Sequence, residues 1–560
     1  MTLRTLYQTL MDSDIARLRV IAQQWELELI AERRADMAAE LAEAMARAEA
    51  VERVWERLEP EPKAALDDLL RHQGAMPWAA FTRRWGRIRM VGPGRLEREA
   101  LWQTPVSPAE SLWYWGLLQR APDIDATGAS VEMAFVPESL RLYLPTPPAL
   151  EIPLPETTAP PLHVLEADDR LCDDLVTVLA YVQNHEVRTD ASGVWPDRHR
   201  DALARQLRIP AAGELLQTLA LEQGWLEREA QGNLRPAPQP ILDWLRADRW
   251  AQWRTVAQAW LDSQSWNDLA LVPALQPDPA QGWPNDPLVT RRNALELLTR
   301  CTPGVWYPLT GFIAHIREHT PDFMRPGADY DAWSLRDALT EVPLRGFEAW
   351  DAVEGALLGM LLLQPLTWLG MVEVGQANPI LPPESFRISV MGAALLELGD
   401  PPELPVPPEV ELHATGALVV PAGSHYEHFQ LSRIAEAVTT TPTSYRYRLT
   451  PASLARARRQ HIPLRRIIEF LSEATERALP AALRKAIERT YRQRSQVRLA
   501  QTWVLRAKDP DLLDYEEVRA LLQERLGPHV ALVRAADVER LSAALIQAGL
   551  LADVEALTEC

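Results

Sequence analysis

Proline sets the tightest constraint on what this chain can fold into. Its 46 copies gather between Pro137 and Pro161, Pro273 and Pro287, Pro379 and Pro383, and Pro401 and Pro408. Proline donates no backbone N–H and biases its predecessor away from the helical region, so each cluster interrupts any helix that reaches it. The stretches between the clusters carry helical periodicity instead. They therefore predict a series of helical units, and 560 residues leave room for about four domains.

Met37, Leu41, Met45 and Ala48 recur at helical spacing, followed by Val51, Val54, Trp55 and Leu58, so residues 1–60 read as a helical segment. Residues 61–145 place three short helices before an extended tail. The first, KAALDDLLRHQG, closes on Gly74 as a C-cap. The second runs through Pro77, Trp78, Phe81 and Trp85, and Pro108 opens the third, SPAESLWYWGLLQRA. The stretch ASVEMAFVPESL then alternates apolar and polar residues. Three helices followed by a hairpin-like tail resemble a winged-helix domain. The order recurs in residues 161–240, with helices at Asp173–Asn184, Trp195–Leu207 (a basic face of Arg198, Arg200 and Arg205) and Ala212–Gln223, and a wing around Gly232-Asn233. It recurs again in residues 290–400, where PLTWLGMVEVG and FRISVMGAALL supply two wing strands and a last helix. A tryptophan-rich helical connector, 241–289, lies between. The repeats share no fixed period, which makes them diverged domains and not a solenoid.

No run of eighteen uncharged apolar residues exists, and the first residues carry an acidic interruption without an apolar h-region. Neither a signal peptide nor a membrane-spanning helix is expected. Cys172, Cys301 and Cys560 form no CxxC or zinc-ribbon spacing, so a reducing cytoplasm is the expected setting.

Charge is unevenly placed. Leu431–Lys508 holds seventeen Arg/Lys against five Asp/Glu, a formal +12 in a chain of −19, which leaves −31 outside that window. Such asymmetry speaks of partners, here a polyanion or an acidic protein face.

Three other features invite a chemical reading. Tryptophan supplies 20 of the 39 aromatic residues, but Trp244, Trp253 and Trp260 sit among Leu and Val at helical spacing, as core anchors do. His315-Ile316-Arg317-Glu318-His319 matches H-x-x-E-H, with two imidazoles one turn apart and a carboxylate between them, the donor set of a zinc peptidase built on His315, Glu318 and His319. That helix ends at once at Thr320-Pro321 with no downstream third ligand, so a solvated helix end is the expectation. His425-Tyr426-Glu427-His428 is read in the same way. No GxxxxGK[ST] loop, DEAD/DEAH-like motif or G-x-S-x-G occurs, and Gly92-Pro93-Gly94 is a turn. Without a phosphate-cradling loop there is no basis for a nucleotide motor, and neither enzymatic activity nor a cofactor is expected.

The basic window resolves into elements. HATGALVVPAG is a strand ending in a turn, and HYEHFQLSRIAEAV a helix. SYRYRLT puts Tyr445, Tyr447 and Leu449 on one face and Arg446 and Arg448 on the other. Thr450 caps ASLARARRQ with Pro451 at its first position. Leu464, Ile467, Ile468 and Leu471 form an apolar stripe, and Leu483, Ile487 and Tyr491 face inward while Lys485, Arg489 and Arg492 share another face. VRLAQTWVLRAK closes as a strand. This order, with the phrases LVVPAG, YRLTPASLARARRQ and LPAALRKAIERTYRQR, resembles the N-terminal domain of XPB-type (Ssl2-like) helicases, also found in helicase-associated bacterial proteins without the motor. More loosely, RADRWAQWRTVAQAWLDSQSWNDL resembles the region upstream of that domain.

The resemblance implies an accessory module that contacts DNA or a partner helicase or nuclease subunit. Arg446, Arg448, Arg456, Arg459, Lys485, Arg489, Arg492, Arg498, Arg506 and Lys508 would then meet phosphates, which position a protein without reading sequence. The alternative is a scaffold whose basic face docks an acidic partner. The expected fold is mainly α with small β wings: tandem winged-helix-like domains, an α+β module at 410–510, and a helix–strand–helix appendix at 511–560.

Overall fold

The computed structural model describes residues 5–124, 130–148, 153–190, 193–325, 327–492, 503–547 and 550. About half of these are helical and the strands form several small antiparallel sheets, a mixed α/β architecture with more strand than expected. Two compact units result. One holds Met1–Leu449 with Ser472–Arg477, the other Thr450–Leu471 with Ala478–Cys560.

The larger unit opens with four helices, α1 (Leu6–Met11), α2 (Ile15–Gln24), α3 (Arg34–Met45) and α4 (Ala48–Arg57). Then come α5 (Pro60–Arg71), β1 (Ala75–Pro77), α6 (Trp78–Trp85), α7 (Pro93–Glu99), α8 (Pro108–Tyr114), β2 (Gln119–Ile124), β3 (Ser130–Phe135) and α9 (Glu138–Arg141). Gly74, at φ +83°, lets the chain leave α5 and enter β1, with its N–H on Leu69 O. The sheet order is β1-β3-β2. Leu10, Ile21, Met37 and Leu41 of the first helices share one core with Leu66, Phe81, Leu112 and Val136. Residues 1–60 and 61–145 are therefore cemented by common burial.

β4 (His163–Leu165) precedes α10 (Arg170–Asn184), α11 (Asp197–Ala204), α12 (Gly213–Glu222), β5 (Leu226–Arg228) and β6 (Leu234–Pro236). α10 is buried nearly all round, from Leu171 to Val182, and correspondingly central. α13 (Pro238–Arg246) and α14 (Arg249–Asp262) follow, then β7 (Leu275–Pro277), α15 (Pro287–Leu298), β8 (Tyr307–Pro308), α16 (Leu309–His319) and β9 (Leu335–Asp337). A π-turn at Asp351–Gly355 leads into α17 (Ala356–Leu363), α18 (Pro365–Trp368), β10 (Val372–Gln376), β11 (Ser385–Ile388) and α19 (Val390–Leu395). The sheet here runs β4-β10-β11-β8. One core spans Leu171 to Phe429 and holds the tryptophans. Trp253 and Trp260 are wholly buried, and their indole N–H groups donate to Leu369 O at 2.6 Å and Asp268 Oδ1 at 3.0 Å. They pack as expected and offer no ring for stacking on a base.

The larger unit ends with β12 (Glu411–Leu412), β13 (Ala417–Pro421), α20 (His425–Ile434), β14 (Glu436–Thr440) and β15 (Ser444–Arg448), in sheet order β12-β13-β15-β14. HYEHFQLSRIAEAV is thus not one helix. The chain leaves α20 after Ile434 because Val438, Thr439 and Thr440 favour a strand that β15 can pair.

The smaller unit contains α21 (Pro451–Arg459), α23 (Ala481–Arg492), β16 (Trp503–Arg506), β17 (Leu522–Gly527), β18 (Val530–Val533) and α25 (Val538–Gln547). α22 (Leu464–Ala474) begins in this unit, and α24 (Glu516–Arg519) precedes β17. Its sheet runs β16-β18-β17. LQERLG, expected to extend a helix, is instead β17, since pairing with VALV overrides its helix propensity. Of the expected strand VRLAQTWVLRAK, only Trp503–Arg506 is seen as strand, and 497–502 lie outside the described residues.

Candidate nucleic-acid interface

Alternation along β15 puts Tyr445 and Tyr447 inside and Arg446 and Arg448 outside, as the sequence predicts. In the register Arg446 lies opposite Val419 and Thr439, and Arg448 opposite Ala417 and Glu436. The outer face therefore offers two guanidinium groups, with one carboxylate across from the second.

The inner face is fastened by a polar network that the sequence does not disclose. The Tyr445 ring stacks on His428 at 3.9 Å, and the Arg208 guanidinium lies over it at 5.1 Å. Arg208 Nη1 donates to Asp173 Oδ2 at 2.9 Å, and the Gly423 N–H donates to Asp173 Oδ1 at 3.0 Å. His425 Nε2 stands 3.4 Å from the same carboxylate, while its Nδ1 donates to Gln252 Oε1. Burial alone would push Asp173 up, but His425 and Arg208 outweigh it and hold the carboxyl below its ordinary value. The next residue, Asp174, accepts the N–H groups of Arg208 and Ile209, both at 2.8 Å, yet burial raises it to about 7. Burial also pulls His428 down to about 3. The donors and acceptors come from α10, α14, α20 and the loops before α12 and α20, and β15 adds the Tyr445 ring. No local pattern could have announced it.

In the smaller unit Thr450 caps α21 through a reciprocal bond with Ser453. Leu454 and Ala457 turn inward, leaving Arg456 half-buried and Arg459 exposed. α21 packs on α23, where Ile487 is buried and the Tyr491 hydroxyl donates to Ile462 O at 2.7 Å. Lys485, Arg489 and Arg492 are exposed along α23. At 1.5 Å per residue they span about 10 Å of helix axis. Arg484 is offset by Glu488 at 3.1 Å, whereas Lys485 and Arg492 form no ion pair with a described residue. Arg506 points outward from β16, Lys508 follows it exposed, and Arg498 lies outside the described residues. Arg446, Arg448, Arg459, Lys485, Arg492, Arg506 and Lys508 form no ion pair with any described residue. The candidate set thus falls into a pair in the larger unit and the rest in the smaller one.

Other motifs are placed as follows. His315 and His319 lie 4.5 Å apart between ring centroids on the last turns of α16, and burial lowers the first below its usual value. Among the described residues no group of three His, Cys, Asp or Glu side chains is placed to hold a metal ion. His425 and His428 are buried in the network above. Of the basic face expected at Arg198, Arg200 and Arg205, Arg200 pairs with Asp197 and Glu214, whereas Arg198 and Arg205 are exposed and form no ion pair with a described residue. No helix among the described residues is long and apolar enough to cross a membrane.

Residues 412–526 match the family described as "Helicase conserved C-terminal domain". No curated protein matches the chain. The match ties the segment from β12 to β17 to helicases and, through them, to nucleic acid. It bears out the helicase kinship of residues 413–508, in a family described as a C-terminal domain, and runs past the expected boundary at 510.

Proposed function

We propose that this chain is a non-enzymatic, helicase-associated accessory protein that grips the nucleic-acid backbone through its basic C-terminal module. One observation carries the reading: the helicase-family match coincides with the +12 window, whose exposed cations are largely free of carboxylate partners. The absence of a phosphate-cradling loop from the sequence supports an accessory without its own motor, acting beside a separate helicase or nuclease subunit. The order of LVVPAG, YRLTPASLARARRQ and LPAALRKAIERTYRQR supports kinship with the XPB-type N-terminal module.

The order of one helix, a strand, three helices and a hairpin (α5, β1, α6–α8, β2–β3) and the β1-β3-β2 sheet support reading residues 61–145 as a winged helix. Residues 161–240 keep a similar order in α10, the bridge Arg188–Asn233, α11, α12 and the β5–β6 hairpin, and 290–400 a looser one in α15, β8, α16, α17, α18 and the β10–β11 hairpin, with β9 inserted. In such units the last helix before the hairpin is the one that enters a DNA groove. Here α8 buries Glu110 and Leu112, α17 buries Leu357, Leu358, Leu361 and Leu362, and α12 turns Glu214 and Glu222 to solvent. None presents cations. The three units are read as scaffold, and the nucleic-acid contact is assigned to the basic module.

The test is binding of duplex and forked DNA to the whole chain across a salt titration. Roughly five to eight phosphate contacts would give a log–log slope of about −0.9 per contact. A flat titration, or no binding at low salt, overturns the reading.

A further inference from the structure

The segment from 412 to 526 carries eight aromatic side chains, and their placement bears on which nucleic acid it can hold. In the larger unit Phe429, Tyr445 and Tyr447 are buried, and Tyr426 packs half-buried against the same core as Phe429. Alternation along β15 thus turns its rings inward and its two arginines outward. In the smaller unit Phe470 is buried and the Tyr491 hydroxyl is held by Ile462 O. Trp503 packs against Val518, Val533, Leu541 and Leu545. Tyr515 is exposed, but Asp511, Asp514, Glu516 and Glu517 flank it in an exposed acidic run, of which Asp514 is paired with Arg525. A ring set among carboxylates is poorly placed to meet a phosphodiester strand. Proteins that hold unpaired strands lay successive bases on exposed rings. Here the rings are committed to the cores and the cations to the surface.

Those cations also stand on rigid elements. Lys485, Arg489 and Arg492 recur at i, i+4 and i+7 along α23, and Arg446 and Arg448 at i and i+2 along β15. Each row is fixed before anything binds. The phosphates of a duplex are fixed as well, so little ordering is needed on either side. An unpaired strand has to be straightened along the row at a cost in entropy, with no stacking to offset it. A duplex also presents more charge per unit length. We infer that the basic segment takes double-stranded nucleic acid in preference to an unpaired strand. This preference rests on the backbone contact proposed above and specifies the form of nucleic acid held.

The experiment titrates full-length protein, by anisotropy, into a labelled DNA duplex and into a labelled oligothymidylate of the same length. Each phosphate contact contributes a salt slope of about −0.9 on a duplex and about −0.7 on a single strand. Over roughly five to eight contacts at about 0.1 M salt, the duplex is expected to bind about tenfold tighter or more. Lys485→Ala/Arg489→Ala/Arg492→Ala is expected to narrow that gap about fourfold. All three side chains are exposed, so their removal leaves the fold in place. Oligothymidylate that binds as tightly as the duplex overturns the preference and leaves the backbone contact standing. A gap unchanged by the triple substitution overturns its assignment to the α23 row. Binding of neither ligand removes the nucleic-acid reading itself, and the preference with it.

Discussion

Replacing Asp173 by Asn should loosen the sheet that carries Arg446 and Arg448. The Asp173 side chain is 2% exposed and that of Arg208 10%, so their 2.9 Å pair operates largely out of water. Asn keeps an acceptor for the Gly423 N–H but removes the charge that compensates the guanidinium. Leaving a buried charge without its partner costs about 3–5 kcal/mol. The retained acceptor places Asp173→Asn near the lower end, about 3 kcal/mol. Removing both members is cheaper than removing either alone, because an apolar group of similar length leaves no charge to strand. The double variant Asp173→Asn/Arg208→Met should therefore be more stable than the sum of the single effects by about 2 kcal/mol, a coupling that only contacting residues show. Native-state hydrogen exchange of the β13, β15 and α20 amides is the suitable assay, since it reports local opening in a chain too large for a single unfolding step. Additivity of the two substitutions within about 0.5 kcal/mol would refute the reasoning. So would unchanged exchange in Asp173→Asn.

Three further outcomes can be checked independently. Lys485→Ala/Arg489→Ala/Arg492→Ala should make the salt slope of DNA binding shallower by about 2.7 if each side chain meets a phosphate, read by anisotropy. Because burial depresses His428 to about 3 from 6.5, the unfolded chain takes up a proton that the folded chain refuses. Stability is then full above about pH 6.5 and falls on acidification towards pH 3, by about 1.4 kcal/mol per pH unit, and His428→Phe should flatten that dependence in denaturant titrations across pH. Gly392→Ala should destabilise by about 2–3 kcal/mol, measured from native-state hydrogen exchange of the α19 and β10 amides, because a Cβ there collides with the Met371 carbonyl oxygen.

What the sequence disclosed was local. Periodicity and caps sufficed for the hairpin around Gly232, the Thr450 cap and the inward tyrosines of β15, because each depends on neighbours within a few residues. Strand pairing is non-local, and that is where the reading failed: Glu436–Thr440 and Leu522–Gly527 become strands because β15 and β18 lie beside them. The tryptophans were legible as core from their spacing, but not that Trp253 donates to Leu369, more than a hundred residues away. The cations of the candidate interface could be counted in advance, whereas which of them are exposed could not. Arg200 shows the difference, since this one cation of an expected basic face is paired by Asp197 and by Glu214 on the next helix.

Charge and family likeness mark out one segment, but physical cohesion divides it. Phe429 belongs to the core that begins at Leu171, and Asp173, Arg208 and Gln252 supply the polar partners of α20 and β15. Cutting the chain near residue 410 would strip those partners away. It would leave His425 and His428 of α20 and Tyr445 of β15 without those partners. The strands bearing Arg446 and Arg448 are in this sense a product of the preceding domains, whereas α21 and α23 bury Leu454, Ala457 and Ile487 within their own unit. A fragment that fails to bind DNA would thus report lost folding as readily as lost contacts. Substitutions at exposed side chains in the whole chain keep the two apart, and they are the measurements on which the nucleic-acid assignment should be judged.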